Sequence, residues 1–439
     1  MRVASQVSIC KGAEMKFQAK LCAALILSLL AMRDSRAQQA PAPTAPEFVT
    51  LADLLSEAER VHPSIRAEIQ MVEAKRARVP QVKTLPDPTV SVGWMGNIAP
   101  FGVQKGDPSS YRGISAMQEF PYPGKLALRG QIAGQDVKVE QWNLEAARRQ
   151  VRAEVESTYY ELWAADQAIA NTQKNKDLLQ KLSQIAEEKY RVGKGLQQDV
   201  LRAQLEVSNV LQTLTMLGQR RLTLVAKLNS LLLRPPEAPL GALAPVEKSP
   251  LAYSLDELIE RGVDNSPEIR RQQEGIEQSQ YAVNLAQRDY LPDFRVGYDY
   301  WQRPGMPDMN GFNAGINVPI FYRSKQREEV KEARFMLEGA KQSREAIRAT
   351  LQFQVQQEYL HAKTSDQLLT LYTRALVPQS ALTLESSLAA YQTGTLDFES
   401  LIANFTSVLQ YEINYYEELA NYQKSLVNLE QITGAELLK

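Results

Sequence analysis

This chain has almost no cysteine and almost no histidine. Its cysteines, Cys10 and Cys22, lie in the first 22 residues, and its histidines, His62 and His361, make no i, i+4 ligand pair. Beyond residue 22 this excludes disulfides, cysteine nucleophiles and thiolate metal sites. Past residue 40 no apolar run reaches the roughly 18 residues a spanning helix needs, a test that a membrane β-barrel with alternating strands also passes. The formal net charge of −1 gives no electrostatic reason to expect nucleic acid as a partner. G-x-S-x-G, H-E-x-x-H and phosphate-cradling glycine loops are missing, and the carboxylates are interleaved with Lys and Arg as on solvated helices. No enzyme and no cofactor is expected.

What is present begins with an N-terminal targeting pattern. Lys16 and Lys20 precede an apolar stretch from Leu21 to Met32, and Ser35-Arg36-Ala37 offers a cleavage site before Gln38. Residues 1–37 read as a secretory signal peptide, with Met15 an alternative start. Cys22 stands at the beginning of the apolar run rather than its end, which argues against a lipid anchor. A Pro/Ala-rich segment, residues 38–48, follows.

The rest is written twice. Thr50-Leu51-Ala52-Asp53-Leu54-Leu55 and His62-Pro63-Ser64-Ile65-Arg66 return as Ser254-Leu255-Asp256-Glu257-Leu258-Ile259 and Ser266-Pro267-Glu268-Ile269-Arg270. Leu85-Pro86-Asp87 returns as Leu291-Pro292-Asp293. Two structural repeats are expected, 49–233 and 254–438, joined by a Pro-rich linker, 234–253.

Each copy holds a hairpin, about 88–121 and about 292–322. Phe294, Val296, Tyr298 and Tyr300 alternate with polar residues and glycine, as do Phe312, Ala314, Ile316, Val318 and Ile320. Val90, Val92 and Trp94, then Ile114, Ala116 and Phe120, repeat the pattern more weakly. Period 2 over about 9–10 residues is what a tilted strand needs to cross a bilayer, and the aromatics near strand ends resemble an interfacial girdle. Four strands cannot close a barrel, so spanning strands require an oligomer giving 8 or 12 strands.

Long helices are expected over about 125–189 and about 325–391, the second kinked at Pro378. At 1.5 Å per residue each runs to about 100 Å. In the first, Val151, Val155, Tyr159, Leu162, Ile169, Leu179, Leu182 and Ala186 mark an apolar seam. The flanking helices, about 51–84 and 197–233, are half as long, so two stacked end to end match one long helix.

Taken in this order, residues 48–438 resemble the TolC family of outer-membrane efflux proteins. The resemblance rests on the twofold plan, on the Pro63 and Pro267 helix starts, and on two further patterns. One is Glu119-Phe120-Pro121-Tyr122-Pro123-Gly124-Lys125, echoed by Pro319-Ile320-Phe321-Tyr322. The other is the glycine turn Tyr190-x-Val192-Gly193-Lys194, echoed by Tyr391-x-Thr393-Gly394-Thr395. It implies a mainly α fold with a membrane β-barrel: a homotrimer whose 12-stranded barrel, four strands per chain, continues into an α-helical tunnel. It implies a passive exit duct in the outer membrane of a Gram-negative bacterium, with the tunnel in the periplasm. The implied partners are a periplasmic adaptor and an inner-membrane pump of RND type. The Phe-Pro-Tyr-Pro-Gly-Lys stretch most resembles the CzcC-like heavy-metal efflux branch. Drug efflux and type I protein secretion are alternatives within transport, and a periplasmic coiled-coil adaptor or scaffold is the alternative from another class.

By that resemblance, Val192, Gly193, Lys194, Thr393, Gly394 and Thr395 are the adaptor-docking tips. The family's acidic gate pair falls here on Ser400 and Ala403, a departure that leaves Asp199, Arg202, Asp397 and Glu399 as gate candidates. No metal site is expected at His62 or His361. Met306 and Met309, in the loop of the second hairpin, are the only soft donors near one another.

Overall fold

The computed structural model describes residues 48–96 and 102–438. The expected signal peptide and the Pro/Ala-rich segment up to residue 47 lie outside them. Short helices α1 (Leu51–Val61) and α2 (Pro63–Lys83) lead into strands β1 (Thr89–Met95) and β2 (Tyr111–Phe120). Helix α3 (Lys125–Arg191) then runs for 67 residues, and α4 (Gln197–Leu231) returns along it. The same order follows as α5 (Leu255–Asn265), α6 (Pro267–Arg288), β3 (Asp293–Gln302), β4 (Met309–Asn317), α7 (Gln326–Leu371), α8 (Val377–Thr393) and α9 (Phe398–Thr433).

Local chemistry sets the boundaries. The helix expected over about 51–84 is two helices, because a residue before proline is driven out of the α region. His62 has ψ 127° and Ser266 ψ 125°, both extended. The histidine is then used as a cap: His62 Nδ1 accepts from Ser64 N at 3.3 Å, with Pro63 in the first helical turn. Ser254 and Glu257 form a reciprocal capping box at the start of α5.

The second long helix is interrupted before the expected kink. Residues Tyr372–Leu376 form one π-turn, in which the Val377 N–H reaches Tyr372 O, five residues back. Pro378 has no N–H to give, and its ring crowds the carbonyl four residues earlier. The wider turn absorbs both defects while the axis continues. Strand β4 stops at Asn317, short of the alternation expected through Ile320, because Pro319 cannot donate to a ladder and the chain turns there.

Helices α2 and α4 occupy opposite halves of α3. A Cβ on Gly130 would strike the Lys83 side chain near one end, while Arg221 and Asp166 pair at 2.6 Å farther along. From the other copy, α6 and α9 also flank α3, through Gln278–Asp136 at 2.6 Å and Asn175–Glu412 at 3.2 Å. Of the expected seam, all but Ile169 are buried; Ala168 takes its place, one residue earlier on the helix face. Leu54, Leu162, Leu228, Leu258, Tyr422 and Leu426 anchor the larger core, each worth about 1.5–3 kcal/mol of burial. The Pro-rich linker lies across this core. Its carbonyls at Ala244, Ser249 and Glu247 accept from the Tyr159 and Tyr422 hydroxyls and the Gln423 amide.

The strands form one antiparallel sheet in the order β1-β2-β3-β4, so β2 and β3 join the two copies. The register places every even-numbered strand residue on one face. That face carries Val90, Val92, Trp94, Ile114, Phe120, Phe294, Val296, Tyr298, Tyr300, Phe312 and Ile316, all solvent-exposed. Of its polar members, Arg112, Gln302 and Asn310 gather at the loop end, where Arg112 donates to Gln302 and Tyr298 to Asn310, while Gln118, near the helix end of β2, donates to the Pro86 carbonyl. The odd face is mostly glycine and polar, with Ser91, Ser115, Glu119, Arg295, Asp299, Asn313 and Asn317; its apolar members are Met117 and, at the loop end, Met95, Met309 and the edge-contacting pair Trp301 and Tyr111. Among the described residues no helix is long and apolar enough to cross a membrane.

Candidate functional site

Where α3 turns into α4, and α8 into α9, the chain reverses by the same device. Gly193 has φ +75° and Gly394 φ +82°, left-handed values that a side chain rarely adopts. In the first turn Lys194 N donates to Lys189 O at 2.8 Å and Gly193 N to Tyr190 O at 3.0 Å. In the second, Thr395 N donates to Ala390 O at 3.0 Å and Gly394 N to Tyr391 O at 3.2 Å. These are paired 6→1 and 5→2 bonds, so each turn is a Schellman motif that satisfies the last carbonyls of its helix.

The two turns sit side by side. Leu179, Leu182 and Ala186 of α3 pack with Ala203 of α4, Tyr391 of α8, and Phe398, Leu401 and Ile402 of α9. Across this small core the Lys189 ammonium lies 3.9 Å from the Tyr391 ring centroid and donates to the Tyr391 carbonyl. The Tyr391 hydroxyl is buried without a partner, and burial, then the nearby Asp199 charge, pushes its pKa up. The sequence placed Tyr391 in the glycine-turn pattern but not its pairing with Lys189, since nothing local links residues 202 positions apart.

All six expected tip residues, Val192, Gly193, Lys194, Thr393, Gly394 and Thr395, are exposed on these turns. Nothing lies within 4 Å of a Cβ built on either glycine. Val192 and Leu196 each present an apolar side chain 66% exposed.

The four gate candidates differ in freedom. Asp397 caps α9, accepting from Ser400 N at 2.7 Å and from its hydroxyl at 2.9 Å, bonds that hold its carboxyl below the usual range. Arg202 pairs with Glu206 at 3.1 Å. Asp199 is half-buried in the first turn of α4, beside Tyr391, and Glu399 is exposed in the first turn of α9.

The other sequence candidates are dispersed. His361 is exposed on α7, beside an open polar hollow with Glu358, Glu418 and Lys424. Met306 is half-buried in the β3–β4 loop, where its N–H closes a turn on Arg303, and Met309 opens β4. Among the described residues no group of three or more His, Cys, Asp or Glu is arranged to hold a metal ion.

A second polar cluster joins the copies beneath the sheet. Lys125, 3% exposed, donates to Asp293 at 2.9 Å and to Leu291 O at 3.1 Å, and lies 3.2 Å from Asp289. Tyr122 N donates to the same Asp293 oxygen at 2.7 Å, and Arg288 to Pro123 O at 2.6 Å. The Pro-Tyr-Pro-Gly-Lys stretch is thus a latch between the strand-to-helix turn of one copy and the helix-to-strand turn of the other.

The sequence matches the family model described as "Outer membrane efflux protein" over residues 54–232 and 258–435. No curated protein gives a significant match. Among solved structures, VceC, an outer membrane protein of Vibrio cholerae, aligns with TM-score 0.74 at 14% identity, covering 88% of this chain and 97% of that one. The outer-membrane channel OprN gives TM-score 0.75 at 17% identity, covering 88% and 89%. The MtrE outer membrane channel of Neisseria gonorrhoeae, in its open state, gives 0.72 at 18% identity, covering 88% and 89%. At these identities the likeness shows the fold.

Proposed function

The chain belongs to the outer membrane efflux protein family, and we propose that it is the outer-membrane exit duct of a tripartite efflux pump, working as a homotrimer. The observation that carries this reading is the register: one largely apolar face across four strands drawn from both copies, backed by a face that is mostly glycine and polar. Among the described residues such a sheet has nothing to bury its apolar side against, and the edges of β1 and β4 are unpaired. Lipid satisfies the face, and only closure satisfies the edges. Three chains of four strands make a barrel of 12, with Ser91, Ser115, Arg295, Asp299 and Asn313 toward an aqueous lumen.

Exposed apolar residues on α7 and α8 support the same assembly. Phe335, Phe353, Leu360 and Leu382 are 76%, 65%, 51% and 66% exposed. Neighbouring chains closing a helical tunnel would cover them. The glycine turns then form six exposed tips at the periplasmic end, two per chain, for a periplasmic adaptor that joins the duct to an inner-membrane pump. Glu399 and Asp199 are the gate candidates with most freedom to form a charged ring there. The stretch that resembles the heavy-metal branch holds strand to helix, and in this reading the adaptor and pump set the cargo.

Fractionation with gel mobility before and after boiling tests this. The expected result is a detergent-requiring outer-membrane species near three times the chain mass that heat converts to monomer, and that conducts ions in planar bilayers. A detergent-free periplasmic monomer overturns the duct and favours a scaffold.

A further inference from the structure

The two hairpins obey one arithmetic. Asp87 and Asp293 are 206 residues apart, and Pro121 and Pro319 are 198 apart. Shifting the β1–β2 pair Thr89↔Met117 by these amounts gives Arg295↔Gly315, which is the pair found in β3–β4. The copies are therefore equivalent residue for residue through their strands. The same shift carries the observed β2–β3 seam onto the two free edges, β4 and β1. Glu119↔Arg295 becomes Asn317↔Thr89, Gln118↔Val296 becomes Ile316↔Val90, and Ile114↔Tyr300 becomes Phe312↔Trp94. Every transferred pair keeps even with even, so the apolar face continues across the join without a break.

The latch beneath the β2–β3 seam transfers as well. Lys125 maps onto Arg323 and its partner Asp293 onto Asp87. Both are exposed, and among the described residues neither makes an ion pair; Arg323 there meets the neighbouring Tyr322. From the equivalent prolines, Pro121 and Pro319, the second copy takes three more residues to reach its helix, so counted back from the helix the matching residue is Gln326. Gln326 is buried, as Lys125 is, but its Oε1 has no partner. Among the described residues the second latch is half-built: a cation after β4 and a carboxylate before β1, neither in an ion pair.

We infer that Arg323 of one copy pairs with Asp87 of the next, locking a β4–β1 seam in the register Asn317↔Thr89 and reproducing between chains the Lys125–Asp293 latch. This rests on the barrel reading above and adds to it a register and a charge pair. Closely opposed charges at a seam fix register and suppress slipped pairings.

The test uses the full chain, extracted from outer membranes in detergent. Thr89→Cys with Asn317→Cys supplies the only cysteines beyond residue 22, and a short thiol cross-linker is expected to join neighbouring chains. Thr89→Cys with Ala314→Cys, out of register and on the opposite face, is expected to join none. Asp87→Arg and Arg323→Asp are each expected to reduce the fraction of trimer surviving SDS by about tenfold, and the double exchange to restore it. Cross-linking in register together with rescue by the exchange supports the seam. An unmodified extract that is monomeric by light scattering overturns both the barrel and the seam. A trimer that cross-links only out of register, or that ignores both reversals, overturns the seam and leaves the duct standing.

Discussion

Lys189, in the last turn of α3, holds Tyr391, in the last turn of α8, by its carbonyl and by the face of its ring. The contact ties the two glycine turns of one chain into a single unit, so the tips cannot move independently while it stands. Lys189→Met keeps the aliphatic stem and removes the charge. It should cost about 1–2 kcal/mol locally and raise amide exchange in both turns, leaving the sheet untouched. Hydrogen exchange resolved by peptide would read this out; protection unchanged at residues 388–398 would count against the coupling.

The turns themselves are sensitive to a second substitution. Gly394→Pro replaces φ +82° with a ring fixed near −65° and deletes the N–H that donates to Tyr391 O. On the proposed reading the oligomer should survive, because the strands lie elsewhere in the chain, while adaptor binding should weaken by about tenfold or more. Pull-down with the adaptor and the unboiled gel together separate these effects. Loss of the trimer in this variant would tell against docking at the tips.

Leu233 adopts φ +55° at the end of α4, where Arg234 N reaches back to Asn229 O at 2.9 Å. The corresponding end of α9 uses Gly434, at φ +66°. Leu233 is 56% exposed, so Leu233→Gly loses little packing and relieves left-handed strain. A net gain of about 0.5–1 kcal/mol is expected, seen as a raised melting temperature. The reverse change, Gly434→Leu, should destabilise, since its Cβ would come within 2.8 Å of the Arg149 guanidinium.

Glu156 is 2% exposed and pairs with Arg152 at 2.9 Å. Burial, opposed by Arg152 and reinforced by Glu430, pushes its pKa from an ordinary 4.5 up to about 7. Between those values the folded state holds a proton that the unfolded state has released. Its contribution to stability is therefore full below pH 4.5 and is lost as pH rises through about 7, a change of at most roughly 3 kcal/mol. Glu156→Gln should flatten melting temperature against pH between about 5 and 8. An unchanged slope would show that other groups set it.

Much of the molecule was legible in the sequence because its signals are local and repeated. Val90 to Trp94 and Phe294 to Tyr300 announce strands through their period, and Gly193 and Gly394 announce reversals because little else fits a left-handed turn. Pro63 and Pro267 mark the helix starts. The break that each proline imposes on the preceding residue was legible too, though the expected helix ran through it. The π-turn before Pro378 was hidden, since a proline says that a helix must adjust and not how.

What the sequence alone determined was the element order, the two faces of each strand and the places where helices reverse, all consequences of backbone sterics and hydrophobic period. Tertiary structure alone decided that β2 meets β3 and in what register. It also decided that Lys125 is buried against Asp293, and that Lys189 finds Tyr391. Those choices join residues more than 160 positions apart, where only packing in three dimensions brings a charge to its partner.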